Sequence, residues 1–572
     1  TVNKIRITRS NVKGCRTDFI ITSSIYNISF SFKKTDIPVY WTKIHKIPAE
    51  FTFRLFFRTR FIIFVDMRNL YLFRPPILRP IVIFAIILLF SGMQTIIAQN
   101  VLSIKPIGGE NAVSGICVID IETGNVVAAH HSEHFFIPAS TQKLITATTL
   151  LLCYTPGHRL STQVYHDGKI SPRGRLHGNL YIRGCGDPSL GSQYSDVSPD
   201  TFIREVVKAV KSAGIRSISG QVIADDRAIP DNPVVSKWLW EDVGNYYAAG
   251  CYGINYADNR FAATFRTGEP GSRPTLLEIT PEIKNLRIYD YLSTNRSGRD
   301  SAYIYGAPYE YTRRIYGSLP ANRDRFTIKG DLPDPPHHLA RQLTETLRRS
   351  GIKVQHEATT ARILHETGKA LAPYDPGKPV LLTYYSPALV DLLRHTLIES
   401  DNLYAESLLR QVELASHPTA TLSGSIEAMK NIWKEKGFPI DDAILYDGSG
   451  LSPLNRITPL MMCRLLAYVA GNGETGNILF DLLPRPGEGT LKRFMADSEL
   501  ATSFRLKSGS MTGVQCYAGY YKGKRTYAVV VMVNHFSSPR GRVQKEVADT
   551  LTRLFYSLEK TADKKTTSTQ KI

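Results

Sequence analysis

Apolar residues along this chain switch between two spacings, and each switch marks an element. From Leu144 to Leu152 every residue is apolar or threonine, with no Gly or Pro, which predicts a buried helix. Leu389, Leu392, Leu393 and Leu397 fall at helical spacing, so the pattern predicts one helix ending just before Ser400 and another beginning around Asn402. Phe202, Val206, Val207 and Val210 predict an amphipathic helix over 200–213, and Leu339, Leu343 and Leu347 predict another. Near the carboxyl end, Val547, Leu551, Leu554 and Phe555 give the same signal over 543–558.

Strand signals cluster at the two ends of the region these helices occupy. Residues 113–120 and 124–130 flank Glu122-Thr123-Gly124-Asn125, a hairpin signature, immediately before the first buried helix. Late in the chain, 506–514, 516–521 and 527–533 are β segments joined by tight turns, the second of them Lys522-Gly523-Lys524. One antiparallel sheet built from both ends, with helices packed on it, makes the predicted class α+β. Between these ends, 266–336 is rich in Gly, Pro, Tyr and Arg with short β-like runs, and Ser293-Thr294-Asn295 within it reads as loop.

Chemistry enters through three short motifs in fixed order: Ser140-Thr141-Gln142-Lys143, Ser400-Asp401-Asn402 and Lys507-Ser508-Gly509. Together they supply a nucleophile, groups able to move its proton, an amide to hold a substrate and a cation for its negative end. The first motif alone is weak, because Ser10/Lys13, Ser31/Lys34, Ser350/Lys353, Ser557/Lys560 and Ser568/Lys571 share its spacing. Only Ser140 opens a buried helix, where free N–H groups and the positive helix end favour a developing oxyanion. Lys143, three residues on, shares its face and can reach the hydroxyl. To accept a proton near neutrality that lysine must be desolvated or lie near another cation, for which Lys507 is available. Ser400 and Asn402 sit at a helix junction aimed into a cleft, and 507–510 forms an edge strand along which an extended peptide can pair. A side chain at Gly509 would obstruct that approach.

These motifs, with Phe136-Ile137-Pro138-Ala139 before Ser140, Gly186-Asp187-Pro188-Ser189-Leu190, Glu399 through Glu406, and Asp447-Gly448-Ser449-Gly450-Leu451-Ser452, resemble the signature segments of one family across most of 101–556. It is the D-alanyl-D-alanine carboxypeptidase/endopeptidase family, the class C low-molecular-mass penicillin-binding proteins of penicillin-binding protein 4 type. The resemblance implies a β-lactamase/transpeptidase-like catalytic domain, antiparallel sheet plus helical lobe, over 99–160 and 380–560. Inserted domains would occupy 161–265 and 333–379, with a nested small β-rich domain at 266–332 and a polar tail at 561–572. The 260 residues from Ser140 to Ser400 exceed what a compact β-lactamase needs and fit such insertions.

The resemblance also implies roles. Ser140 attacks the carbonyl between two D-alanines of a peptidoglycan stem peptide, Lys143 takes its proton, Ser400 relays a proton to the leaving amine, and Asn402 holds the peptide amide and orients Lys143. Lys507 and Ser508 bind the terminal carboxylate, Gly509, Ser510 and Asp401 complete the substrate-binding set, and the N–H groups of Ser140 and Ser510 form the oxyanion hole. β-Lactams become covalent inhibitors, and no cofactor or metal is called for. Position 508 carries Ser where the superfamily often has Thr, Cys185 stands where a small residue is expected, and no deacylating glutamate of the class A β-lactamase kind is placed. Alternatives are a β-lactamase or esterase on the same scaffold, or a non-catalytic wall-binding module.

Export explains the rest. Ile81 to Phe90 is an apolar core preceded by Arg68, Arg74 and Arg79 and followed by small residues to Ala98, so 67–98 reads as a secretory signal peptide of a bacterial periplasmic protein; an uncleaved membrane anchor is the alternative. Met67 stands where such a peptide begins, leaving 1–66 as upstream translation, a misplaced start or a real extension. Residues 1–98 hold 15 Lys and Arg against 4 Asp and Glu, so 11 of the net +19 charges lie there and 8 remain for the rest. That balance is poor support for nucleic-acid binding and suits an enzyme at an anionic wall. An exported location permits disulfides, yet six thiols in so large a protein need not form them; Cys117 and Cys516 fall on predicted strands of one sheet and are the pair to inspect. His130, His131 and His134 lack metal-site spacing and read as part of a turn.

Overall fold

The computed structural model describes residues 107–569 apart from Pro439, with side chains to Lys560, and five short strands within the first 65 residues. Those five, Arg6–Arg9, Phe19–Ser23, Ile28–Phe32, Phe53–Phe56 and Ile62–Val65, form an antiparallel meander in chain order and belong to a separate compact unit. The apolar segment 81–90 and the cleavage site after Ala98 lie outside the described residues.

The second unit begins at Asn100 and contains all three motifs. Its central sheet runs Phe504–Met511, Val514–Lys522, Thr526–Asn534, Val113–Asp120, Val126–His130, antiparallel throughout. Both chain ends therefore meet in it, Val530 opposite Cys117. The strand Thr526–Asn534 is apolar on both sides because both faces are covered. Tyr527, Val529, Val531 and Val533 pack on Val543, Val547, Leu551 and Phe555 of the helix Arg540–Thr569. Ala528, Val530 and Met532 point the other way, into the core of the helical lobe.

That lobe surrounds the helix Lys143–Cys153, buried on every side from Lys143 to Leu150. Its threonines are tolerated there because each hydroxyl finds an acceptor: Thr146 donates to the Gly448 carbonyl at 2.9 Å, and Thr148 and Thr149 donate to Leu144 and Ile145 one turn back, at 2.6 Å each. Around it stand Leu389–Ile398, Asn402–Leu414, Leu422–Glu435 and Pro459–Ala470.

The excursion between the first two motifs leaves and rejoins through neighbouring strands, Arg159–His166 and Val380–Ala388, which pair antiparallel in a five-stranded sheet with Leu180–Arg183, Val222–Asp225 and Thr359–Thr360. Helices Thr201–Ser212 and Pro335–Arg349 bury their apolar stripes in the core of this region. Further out, Arg260–Thr267 pairs with Thr275–Thr280 and Arg323–Asp331, while Arg287–Asn295, Thr312–Pro320 and Tyr303–Tyr305 form another three-stranded sheet over a shared core. A fully buried ion pair, Arg313 to Asp331 at 2.8 Å, ties the two sheets together.

One sequence expectation is corrected, and one open question is answered. Ser293-Thr294-Asn295 is the end of the strand Arg287–Asn295, not loop; the inward residues Ile288 and Leu292 alternate with Tyr289 and Tyr291, and aromatic residues on the outer face hid the alternation. Cys117 and Cys516 are buried free thiols on the same sheet. The strand Thr526–Asn534 lies between theirs, and Cys117 pairs with its Val530 where Cys516 pairs with its Met532, so at ordinary strand spacing they are more than about 9.5 Å apart, beyond disulfide reach.

Candidate active site

Ser140 sits in a tight 3-10 turn, Ala139–Gln142, that runs directly into the buried helix, so the α-helix proper starts at Lys143. Ala139 before it has φ +45° and Ser400 has φ +61°; non-glycine residues adopt this region at a cost of about 1–3 kcal/mol each, and such strain collects at functional sites. Gly450, at φ +80°, lies so close that a Cβ there would meet the Ala139 carbonyl oxygen at 2.0 Å.

The Lys143 Nζ is the hub. It lies 3.1 Å from Ser140 Oγ, 2.6 Å from Asn402 Oδ1 and 2.7 Å from the Ser449 carbonyl oxygen. Burial is complete and lowers this ammonium from 10.5 to about 8, against the opposing pull of Asp447, Asp401 and Glu406. Asn402 is held from its other end, its Nδ2 donating to the Tyr247 carbonyl at 2.7 Å.

Lys507 is equally buried, and its Nζ donates to Ser400 Oγ and to the Ser508 carbonyl, both at 2.8 Å. Desolvation and then the Lys143 charge push it well below the ordinary lysine value. The cation pair thus weighs on Lys507, whereas Lys143 is tuned by burial. Along this strand Lys507 and Gly509 are buried, while Ser508 and Ser510 are less covered. Ser508 Oγ donates to Thr490 Oγ1 at 2.7 Å. A Cβ at Gly509 would lie 2.8 Å from the Pro138 carbonyl and from the N atoms of Ser140 and Thr141, so glycine here lets the strand touch the nucleophile turn.

Asp401 does other work. It caps the helix Asn402–Leu414 by accepting from the Tyr404 N–H at 3.2 Å, and it lies 3.6 Å from His395 and 3.8 Å from Arg260. Burial pushes its carboxyl up, but His395 and Arg260 outweigh that and hold it below its ordinary value. Arg260 also pairs with the buried Asp258 at 3.2 Å, which ties the inserted region to the second motif.

The three motifs therefore converge, and they are joined by residues that sequence reading left out of the site. Asp447 accepts from Trp238 Nε1, Gly450 N, Ser452 N and Asn455 Nδ2 at 2.7–2.9 Å, and from Gln142 Nε2 at 3.2 Å. Glu406 accepts from Gly448 N at 2.9 Å and Ser449 N at 2.8 Å. These carboxylates fix the 447–450 turn that delivers the Ser449 carbonyl to Lys143. The signals were present: Asn402 and Glu406 share a helix face, and Asp-Gly-Ser-Gly is turn chemistry.

A serine hydroxyl beside a buried, pKa-lowered lysine, with a second serine–lysine pair across the cleft, defines a serine acyl-transfer hydrolase. Sequence comparison narrows the class. The profile of the D-Ala-D-Ala carboxypeptidase 3 (S13) family matches residues 99–554, and the chain belongs to that family. It is a serine-type D-Ala-D-Ala carboxypeptidase. Among curated relatives, the D-alanyl-D-alanine carboxypeptidase DacB of Haemophilus influenzae is 25% identical over 448 residues, 75% of this chain and 87% of the relative. The D-alanyl-D-alanine carboxypeptidase of Actinomadura sp. strain R39 is 25% identical over 439 residues, 74% of this chain and 78% of that one. The crystal structure of penicillin-binding protein 4 from Haemophilus influenzae shares the fold with a TM-score of 0.68 and 22% identity, covering 81% of this chain and 99% of its own.

Proposed function

We propose that Ser140 is the nucleophile acylated by a peptidoglycan stem peptide, with Lys143 as its base. The observation that carries the assignment is the hydrogen-bond count at Lys143. A neutral amine has two hydrogens and one lone pair; Asn402 Oδ1 and the Ser449 carbonyl take the hydrogens, which leaves the lone pair for the Ser140 hydroxyl at 3.1 Å.

The steps follow. Ser140 Oγ bonds to the carbonyl carbon between the two D-alanines as its proton passes to Lys143. The oxyanion is held by the N–H groups of Ser140 and Ser510; the close approach of the strand to the nucleophile turn at Gly509 supports this pairing. Ser400 gives its proton to the leaving amine and is reprotonated from the Lys143 side, so the proton taken from Ser140 ends on the leaving group, while Lys507 keeps its charge and its 2.8 Å hydrogen bond to Ser400 Oγ. Lys507 and Ser508 receive the terminal carboxylate, and a carboxylate arriving there restores the charge that burial removes from Lys507. Asp401 acts as a positioning group through its cap. Water then releases the acyl group. When the leaving amine belongs to a neighbouring strand, the same steps make the enzyme an endopeptidase.

β-Lactams imitate the acylated bond, and a penicillin-binding protein 4 of the same fold is known complexed with a β-lactam. Labelling with a fluorescent penicillin, followed over time, is the test. Persistent label in wild type and none in Ser140→Ala is expected; rapid loss of label would favour the β-lactamase or esterase reading, and an unlabelled wild type would overturn the assignment. Export is part of the proposal: the family match begins at residue 99, immediately after the cleavage site proposed at Ala98. No helix among the described residues is long and apolar enough to cross a membrane. Amino-terminal sequencing of protein recovered from the envelope checks the cut.

A further inference from the structure

The sheet Arg287–Asn295, Thr312–Pro320, Tyr303–Tyr305 turns Ile288, Leu292, Ile304, Ile315 and Leu319 to its core. Strand register sets the opposite face in two rows, Tyr289 beside Arg314 beside Tyr305, and Tyr291 beside Tyr316 beside Tyr303. Five of those six positions are tyrosine, and Tyr289, Tyr291, Tyr303 and Tyr316 are exposed by 41–58%. The rings of Tyr291 and Tyr316 lie nearly parallel, 9° apart with centroids at 4.8 Å, and Tyr305 meets Tyr316 edge-on at 5.8 Å. Trp240, 62% exposed, stands 6.2 Å from Tyr305. Trp240, Tyr305, Tyr316, Glu310, Thr312 and Arg314 bound a cavity of about 560 Å³.

A solvent face of a sheet ordinarily carries short polar or charged side chains; a contiguous exposed aromatic surface marks a binding site. The chemistry of this one is amphipathic. Every ring offers an apolar face and a hydroxyl or N–H at its edge, and a guanidinium and a carboxylate stand beside them. An amphipathic helix docks in an aliphatic groove, which this is not. A pyranose has the matching character: an apolar C–H face that stacks on an aromatic ring, and a rim of hydroxyl and acetamido groups that hydrogen-bonds.

Position favours the same ligand. The stretch from Trp240 to Tyr247 joins this face to the catalytic cleft, since Asn245 Oδ1 accepts from the Ile304 N–H at 3.0 Å and the Tyr247 carbonyl accepts from Asn402. The peptide attacked in that cleft is attached to a glycan strand. We infer that the tyrosine face and Trp240 bind the β-linked N-acetylated amino-sugar strand that carries the peptide, holding the polymer while Ser140 works on its side chain. This inference rests on the reading of the substrate given above.

The test uses the full chain and a peptide-free probe, the β-1,4-linked tetramer of N-acetylglucosamine, followed by tryptophan fluorescence and by co-sedimentation with insoluble peptidoglycan. Trp240 is the exposed tryptophan among those described; Trp238 and Trp433 are buried. Saturable binding by wild type and by Tyr291→Phe/Tyr316→Phe is expected, with at least about tenfold weaker binding by Tyr291→Ala/Tyr316→Ala. Trp240→Ala, read by co-sedimentation, carries the test should the alanine pair fail to fold. Penicillin acylation, measured in the same samples, should match wild type in all of them. Wild type that binds no sugar, or alanine variants that bind it as wild type does, overturn the inference. Wild type that binds sugar but is not acylated overturns the catalytic reading instead.

Discussion

The pH dependence of acylation is the most direct probe of the buried lysine. Burial lowers Lys143 from 10.5 to about 8, so the neutral fraction at pH 7 rises from about 0.03% to about 9%, a gain of about 300-fold in competent base. The sign is fixed: the catalytic form is the deprotonated one, so the rate rises with pH and levels once Lys143 has lost its proton. Lys507 titrates as well, and two lysines this close lose protons as a pair. Saturating a carboxylate-bearing β-lactam separates them, because its anion keeps Lys507 charged and leaves Lys143 to set the profile. The assay is stopped-flow acylation by a fluorescent penicillin at saturation, from pH 5.5 to 9.5. The rate should climb roughly tenfold per pH unit at the acid end and level near or below about pH 8. A profile flat over the whole range, or one still climbing at the alkaline limit, would refute burial as the source of the base.

Four substitutions or ligand changes test the surroundings. Asn402→Ala removes one of the two acceptors that aim the Lys143 lone pair and should slow acylation by about 10–100-fold in the same assay. Gly509→Ala places a methyl 2.8 Å from the Ser140 and Thr141 nitrogens, so the nucleophile turn must move, and acylation should fall by about 100-fold or more with a stability loss of about 1–3 kcal/mol in urea denaturation. Asp447→Ala leaves several buried donors without an acceptor and should cost on the order of 3–5 kcal/mol, read as the urea midpoint for loss of penicillin labelling. Esterifying the β-lactam carboxylate withdraws the anion that recharges Lys507; acylation should drop by about tenfold or more at pH 7, and an unchanged rate would remove Lys507 from substrate binding.

Much of the fold was legible because its signals are local. The helix predicted over 200–213 is Thr201–Ser212, with Asp200 at its amino-terminal cap. The junction around Ser400 appears as a break between Leu389–Ile398 and Asn402–Leu414. The early hairpin is Val113–Asp120 with Val126–His130. What failed was local as well: the strand ending at Asn295 has tyrosines outside where polar residues normally announce the period. The cysteine pair stayed open for a different reason. Membership in one sheet says nothing about strand order, and the strand inserted between Cys117 and Cys516 is the hairpin partner of the one that holds Cys516.

The chemistry divides along the same line. Ser140, Lys143, Asn402 and Lys507 could be picked out because their side chains carry the signal, whereas half of what positions Lys143 is backbone. The Ser449 and Tyr247 carbonyls belong to residues whose identity hardly matters at those atoms, so no pattern in the sequence points to them. The placement of the Ser449 carbonyl is instead written in the carboxylates behind it: Glu406 accepts from the Gly448 and Ser449 N–H groups, and Asp447 ties Gly450 and Ser452 to Trp238 and Asn455. That arrangement reconciles two opposing demands on Lys143. Its charge must be unstable enough to leave a lone pair, which burial provides, yet an uncompensated buried ammonium would destabilise the fold by several kcal/mol. Asp447, Asp401 and Glu406 moderate the shift from nearby without taking a hydrogen bond from Nζ, so the lysine stops at about 8 and its lone pair still faces Ser140.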